Sequence, residues 1–224
     1  MVIDKNSVLI GLPAYNEGKV IDKLIDNIRE EGFDNILVVD DCSNDNTYNV
    51  AISKGIDVLR HPINRGAGAS TATIIEYAKR NKYEYLVLMD SDGQHNPKDI
   101  KRLIDKKGKY DVVIGSRMIN TKGMPIVRKI ANFVGSIVTY FVFGIYVNDS
   151  QSGFKLLNRR AINKIKIHFD TFEFSSEMLG EIKKNNLKTK EIPIEVIYTQ
   201  HSQSKGQSVK NGIIMIFRFI LRGK

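Results

Sequence analysis

Leu86-Val87-Leu88-Met89-Asp90-Ser91-Asp92-Gly93-Gln94-His95 runs an apolar strand straight into two carboxylates one residue apart. Ser91 and Gly93 are small enough to admit a ligand, and Asn96-Pro97 turns the chain away. Two carboxylates held this close repel each other, and a cation between them is the usual reason to keep them together. Oxygen donors of this kind suit Mg²⁺ or Mn²⁺, ions that keep positions open for phosphate oxygens. Asp-Ser-Asp-Gly is equally good turn chemistry, so a solvated turn stands beside the metal site as a reading of these residues alone.

Three earlier stretches end in the same way. Ser7 to Pro13 is a short apolar run closed by proline, followed by Ala14-Tyr15-Asn16-Glu17. Val20, Ile21, Leu24, Ile25 and Ile28 then recur at helical spacing up to Gly32. Asn35 to Val39 reads as a strand ending at Asp40-Asp41, and Ser43 to Thr47 offers caps for a helix to about Lys54. Asp57 to Arg60 is a third strand, and the loop Asn64-Arg65-Gly66-Ala67-Gly68 leads into a small-residue helix from about Ala69 to Asn81. Strands alternating with helices predict an α/β fold, a mostly parallel sheet with helices on both faces. Ligands collect at the carboxyl ends of such strands, where all four loops lie.

Composition narrows the partners. At 224 residues the chain suits one large domain or a domain with an appendage, and its one cysteine, Cys42, excludes an internal disulfide framework. No cysteine and histidine cluster has zinc spacing, and the amino terminus lacks the pattern of a signal peptide, so cytosolic exposure is the expectation. The net charge of +9 hides an asymmetry. Residues 1–100 carry 11 Lys and Arg against 16 Asp and Glu, whereas residues 101–224 carry 23 against 9. A basic second half fits anionic membrane surfaces or phosphorylated substrates better than nucleic acid, because its basic residues do not interleave with aromatics.

Within that half, Ile100 to Leu103 continues a helix, and Asp111 to Ser116 reads as a strand ending on Arg117. Ile130 to Val147 is 18 residues without a charge, interrupted by Asn132, Gly135, Ser136, Thr139 and Gly144; a buried or interfacial helix is expected rather than a span. Asp149 to Lys155 reads as a polar turn, Phe169 to Glu181 as a helix bearing Glu173 and Glu177, and Glu191 to Tyr198 as a strand. Val209 to Lys224 is strongly apolar with flanking Lys and Arg, as in a helix at a membrane interface. His95 and His168 are expected as turn and surface residues.

Taken together, Pro13-Ala14-Tyr15-Asn16-Glu17, Val38-Val39-Asp40-Asp41-Cys42-Ser43, Asn64-Arg65-Gly66, Asp90-Ser91-Asp92-Gly93-Gln94, Gly115-Ser116-Arg117 and Asp149-Ser150-Gln151-Ser152-Gly153-Phe154 resemble the inverting glycosyltransferases of family 2. The resemblance covers roughly residues 7–205 and is strongest to the branch that moves a sugar onto dolichyl or polyprenyl phosphate. It implies a GT-A, Rossmann-like fold over residues 1–205, with a donor half to about 100, an acceptor half beyond, and a terminal amphipathic helix at 206–224. It implies that Pro13, Tyr15, Glu17, Asp41, Arg65, Gly66, Ser91 and Lys205 bind the nucleotide sugar. Asp90, Asp92 and Gln94 would hold Mg²⁺ or Mn²⁺, and Arg117, Arg128 and Ser152 would meet the acceptor phosphate. Asp90, Asp92, Asp149 and Arg117 form the implied catalytic set. Ser204-Lys205 resembles the end of a carboxyl-terminal family motif, but Gln200-His201-Ser202-Gln203 stands where an arginine is usual, which leaves the diphosphate contact to His201 or Lys205.

A phosphate acceptor is ionised at neutral pH and attacks without a general base. Asp149 is therefore expected to orient the acceptor, the metal shell or Arg117, and a helix-capping turn is its structural alternative. The implied enzyme is peripheral, at the cytoplasmic face of the membrane, and held there by interfacial helices, a membrane subunit or a homodimer. Two rivals stand beside it: a family 2 transferase acting on a sugar hydroxyl, and a non-catalytic nucleotide- or lipid-binding homologue.

Overall fold

Val8, Ile10, Leu12 and Ala14 of the first strand, β1 (Val8–Ala14), face one side of the sheet, and Leu9 faces the other. This alternation of two apolar faces is what a strand covered on both sides requires. It recurs in β2 (Ile36–Asp40), where Ile36 and Val38 oppose Leu37 and Val39, and in β4 (Tyr85–Leu88), where Val87 opposes Leu86 and Leu88. The computed structural model describes residues 5–121, 124, 126–171 and 173–197. Among them, β3 (Asp57–Arg60), β5 (Val112–Ser116), β6 (Lys155–Asn158) and β7 (Thr189–Pro193) complete one seven-stranded sheet of order β3-β2-β1-β4-β6-β5-β7.

All pairings are parallel except those of β6, which runs antiparallel between β4 and β5. One face is covered by α1 (Ile21–Glu30), α2 (Thr47–Ser53) and α4 (Asp99–Ile104) through Ile21, Leu24, Ile25, Ile28, Ala51, Ile100 and Leu103. The other is covered by α3 (Ala67–Arg80), α6 (Arg159–Lys164) and α7 (Phe174–Lys184) through Ile74, Ile75, Ala78, Ile162, Met178 and Leu179. Each fully buried aliphatic side chain contributes about 1.5–3 kcal/mol relative to exposure, so these two layers carry the fold. The chain reverses strand order between β1 and β4, and the crevice beyond their carboxyl ends is where an open α/β sheet takes ligands.

The mostly parallel sheet agrees with the sequence expectation, with four local corrections. Asp149 to Lys155 is a turn only as far as Gly153, after which β6 begins, and α6 follows directly. The strand expected at 191–198 begins earlier, at Thr189, and ends at Pro193; beyond it Val196 makes one isolated bridge to His95. The helix expected from Phe169 starts at Phe174 because Glu177 takes the backbone N–H groups of His168 and Phe169 into a loop.

The fourth correction concerns α5 (Ile126–Phe143), which starts four residues before the uncharged stretch and stops before Gly144, a residue at φ +67°. Its inward face is polar. Ser136 bonds the Asn148 carbonyl, and Thr139 pairs with Ser176 of α7. Its outward face carries Ile126, Ile130, Phe133 and Phe141, the last 80% exposed. No helix among the described residues is long and apolar enough to cross a membrane. The expected helix at 206–224 lies outside the described residues.

Candidate active site

Four loops from the carboxyl ends of β1, β2, β3 and β4 are tied to one another by side chains that accept backbone N–H groups. After β1, Asn16 sits at φ +56°, its N–H donating to Ser43 Oγ at 2.9 Å while its Oδ1 accepts from Asn44 N at 2.8 Å. The Glu17 N–H donates to Thr47 Oγ1 at 2.8 Å, and Ser91 Oγ donates to the Pro13 carbonyl at 2.6 Å. Tyr15 remains open to solvent between these ties. Pro13, Tyr15, Glu17 and Ser91, all expected in the nucleotide pocket, therefore stand on one rim.

Asp41 is buried, and its carboxylate accepts from Gly66 N at 2.6 Å, from Arg65 N at 3.0 Å and from His61 Nδ1 at 2.7 Å. Its oxygens are occupied in shaping the 61–66 loop rather than turned toward a base or ribose. The loop is closed from the far side too. A Cβ at Gly66, itself at φ +109°, would collide with the Asp170 carbonyl, and Asp170 also pairs with Arg65 at 3.1 Å. That pair is half exposed on both sides, and exposed pairs contribute only about 0.2–1 kcal/mol, so it is a weak tie.

The run that follows β4 forms the floor. Asp92 accepts from its own loop, at 3.0 Å from Gln94 N and 2.6 Å from Gln94 Nε2. Asp90 lies 3.1 Å from His95 Nε2 and against Gly153, where any Cβ would run into the Asp90 carboxylate. Burial raises the Asp92 carboxyl above its usual range, and the neighbouring Asp90 and Glu17 push it further. For Asp90 burial acts in the same direction, but His95, Arg117 and Lys155 outweigh it and hold the carboxyl below its usual range. Positive charge is thus supplied to Asp90 and is short at Asp92.

The chemistry of the donor set tests the expected dication. Among the described residues no group of three or more His, Cys, Asp or Glu could hold a metal on its own. Asp90, Asp92 and Gln94 instead bring hard oxygen chemistry to one loop, the donor set of an ion that leaves several positions to water and substrate oxygens. The residues fit such an ion.

Beside the floor, Arg117 follows β5 and grips Asp149 through both carboxylate oxygens, Nε to Oδ2 at 2.7 Å and Nη2 to Oδ1 at 2.8 Å, with the Arg117 N–H donating to Oδ2 at 2.9 Å. Asp149 is 0% exposed. Burial would raise its carboxyl, but the charge and hydrogen bonds of Arg117, aided by Lys155, hold it below the ordinary carboxylate range. Of the residues expected at the acceptor phosphate, Ser152 needs correction: it is fully buried, donates to the Gly115 carbonyl and accepts from Phe154 N, so it braces the loop. The Arg128 side chain, His201 and Lys205 lie outside the described residues.

Two residues of this site were not identified from sequence. His95, expected at a turn surface, is 2% exposed, stacks on Phe154 with ring centroids 5.0 Å apart, and makes no hydrogen bond at Nδ1 among the described residues. Lys155 is 1% exposed, and burial lowers its ammonium to about 8 against the pull of Asp90 and Asp149. Its signal in the sequence is a lysine opening a short run between Phe154 and Leu156, both of which are buried. His168 is where it was expected, on the surface, bonded to Glu177.

Comparison with known proteins identifies the family and the fold. A model of the family described as "Glycosyl transferase family 2" matches residues 9–166. An uncharacterized protein of Methanocaldococcus jannaschii is 40% identical over 98% of this chain and 93% of its own length. The UDP-N-acetylglucosamine--dolichyl-phosphate N-acetylglucosaminyltransferase of Methanococcus voltae is 33% identical over 97% of this chain and 96% of its own. Among solved structures, glucosyl-3-phosphoglycerate synthase from Mycobacterium tuberculosis, in complex with Mn²⁺ and UDP-glucose, superposes with a TM-score of 0.67 at 16% identity, covering 95% of this chain and 76% of that one. At that identity the likeness speaks for the fold.

Proposed function

Because this chain belongs to glycosyl transferase family 2 and is a glycosyltransferase, we propose that it moves a hexose from a nucleotide diphosphate sugar to a dolichyl or polyprenyl phosphate, with inversion at the anomeric carbon. The observation that carries the acceptor class is the state of Asp149. An acceptor hydroxyl needs a base to take its proton. Asp149, the carboxylate expected in the catalytic set, is buried, gripped at both oxygens by Arg117, and held ionised by charge rather than poised to accept a proton. An acceptor that arrives as an anion needs no such base, and a guanidinium suits it through the donors that do not face Asp149.

The other side chains divide the remaining work. Pro13, Tyr15 and Glu17 line the nucleotide, and the 61–66 loop shaped by Asp41 presents Arg65 to the diphosphate. Lys205 extends this contact from beyond the described residues. Asp90, Asp92 and Gln94 would hold Mg²⁺ or Mn²⁺, which when bound offsets the charge that develops on a departing diphosphate. Arg117, with Arg128, holds the acceptor phosphate.

The outward face of α5 supports a membrane-bound acceptor. A helix that turns Ser136 and Thr139 inward and Ile126, Ile130, Phe133 and Phe141 outward reverses the usual order of a soluble helix. Laid on a bilayer, that face would hold the enzyme peripherally, at the leaflet that displays the lipid phosphate to cytoplasmic nucleotide sugars.

The test is a donor screen. Radiolabelled UDP-N-acetylglucosamine, UDP-glucose and GDP-mannose are each incubated with the purified chain, Mn²⁺ or Mg²⁺, and polyprenyl phosphate. Label entering the lipid phase with one donor, and only with metal present, is expected. UDP-N-acetylglucosamine heads the series because the Methanococcus voltae relative is named for it. Label that stays with the nucleotide for every donor overturns the reading.

A further inference from the structure

Among the described residues, Lys155 is the only lysine that is buried. As the first residue of β6 it pairs with Leu88 of β4 and Ile114 of β5, which brings it beneath the ends of the two strands that lead to Asp90 and Arg117. Its Nζ donates to the Ser152 carbonyl, and Ser152 Oγ in turn donates to the Gly115 carbonyl two residues before Arg117. Asp90 and Asp149 both favour its charge, and Arg117 opposes it. The buried ammonium is therefore bonded to the loop that carries Asp149 and lies within electrostatic reach of the Asp149–Arg117 pair. A buried lysine is expensive to keep in an apolar layer, where a Leu or Met of similar length would be stable without a partner. Its presence calls for a task the apolar residue would not do.

We propose that Lys155 is a positioning residue, whose ammonium ties down the 149–153 loop at the Ser152 carbonyl and sets a positive charge beside Asp149, so that this carboxylate keeps its grip on Arg117. Without that ammonium the Ser152 carbonyl loses its donor, and Arg117 alone remains of the two cations that favour the Asp149 charge. Asp149 then gains from taking up a proton or turning toward water, and either change releases the Arg117 N–H and fork. The inference rests on Arg117 meeting the acceptor, but its structural half stands apart from that reading.

The experiment compares the full chain with Lys155→Met and Lys155→Arg, and reads two quantities. The first is hydrogen exchange at the Arg117 amide, which donates to Asp149 Oδ2 at 2.9 Å, with β2 amides of Leu37 and Val38 as the control. The second is the split between KM for polyprenyl phosphate and affinity for the nucleotide diphosphate with Mn²⁺. Lys155→Met is expected to speed Arg117 exchange by about tenfold or more, the loss of one charge-supported hydrogen bond. It is also expected to raise the acceptor KM by a similar factor while nucleotide affinity stays within about threefold and β2 stays protected; Lys155→Arg keeps the charge and restores the Arg117 amide. Lys155→Gln, which retains a donor for Ser152 without the charge, takes the place of Lys155→Met if the latter does not fold, with the same expected result.

Arg117 exchange at the wild-type rate in the neutral variant overturns the proposal. So does a uniform loss of protection through β2 in every neutral variant, the mark of a residue that only stabilises the fold. If the wild-type chain transfers nothing to polyprenyl phosphate, the acceptor reading fails alone, and the exchange measurement still decides whether Lys155 holds the loop.

Discussion

The loop after β4 and the loop before β6 both bring carboxylates to the crevice, and they treat them in opposite ways. Before β6, Asp149 is sealed from solvent and paired at both oxygens with Arg117. After β4, Asp92 accepts amide N–H groups from Gln94 among the described residues, and the like charges of Asp90 and Glu17 beside it outweigh the pull of His95. One carboxylate is paired with a cation of the fold, whereas the other is the one we propose a bound cation completes. Asp90 lies between the two and borrows His95, Arg117 and Lys155. Carboxylates a few residues from a strand end thus serve as a clamp awaiting a ligand or as a fixed part of the scaffold, depending on which cations the fold brings to them.

Breaking the unfinished side should have the largest effect. Asp90→Ala removes a charge from the diphosphate end of the reaction, and transfer is expected to fall by on the order of 10²–10³; the melting temperature should fall as well, because buried His95 loses its bonded anion and Lys155 a favourable charge. Steady-state rates beside a thermal melt check both parts. Breaking the finished side should act through structure first. Asp149→Asn leaves Arg117 without its anion, and unfolding by denaturant should show a loss of about 3–5 kcal/mol, with activity falling less than in Asp90→Ala. A hydroxyl acceptor reverses this order, since removing a general base lowers the rate by about 10²–10⁴.

The contact between the two loops is Gly153. Gly153→Ala drives a methyl group into the Asp90 carboxylate, and overpacking of this kind typically destabilises by about 1–3 kcal/mol. Transfer should fall with it, because Asp90 has to move; a variant with wild-type rate and stability would separate the loops.

A control for both lies at the far end of β5. Burial would raise the Asp111 carboxyl, but Asn158, the Lys188 N–H and Arg160 lower it below its ordinary value. A depressed carboxylate contributes stability that is complete above its unfolded pKa, near 3.9, and is lost as pH falls through the folded value. Asp111→Asn should therefore be less stable than wild type by about 1–3 kcal/mol at pH 7, with the gap closing below about pH 4 and with transfer unaffected. Equilibrium unfolding across pH checks the sign: a gap that widens in acid contradicts it.

The loop after β4 was legible because its signals are local: an apolar run, two carboxylates, small residues and a proline in ten positions. The same holds for β1 to β3, whose alternating faces and helix spacing predict a parallel sheet without knowledge of their partners. The loop before β6 was less legible. Lys155-Leu156-Leu157-Asn158 is too short and too polar at its ends to announce a strand, and it forms one only because β4 and β5 leave a gap that both sides fill. Lys155 and His95 read as surface residues by type, and only tertiary packing reveals that both are buried, one bonded to the Ser152 carbonyl and the other to Asp90. The reversed faces of α5 were partly visible in the scatter of Ser and Thr through an uncharged run, but which face turned outward depended on Asn148 and Ser176, far along the chain.

The most direct test of an acceptor that arrives already ionised sets one lipid against itself. The wild-type chain, its preferred labelled donor and Mn²⁺ are offered a polyprenyl phosphate or the same polyprenol without its phosphate, in matched vesicles. Label in the phosphorylated lipid alone, released as the free sugar by mild acid, is the expected result. Equal labelling of the alcohol, or labelling of the alcohol only, contradicts it.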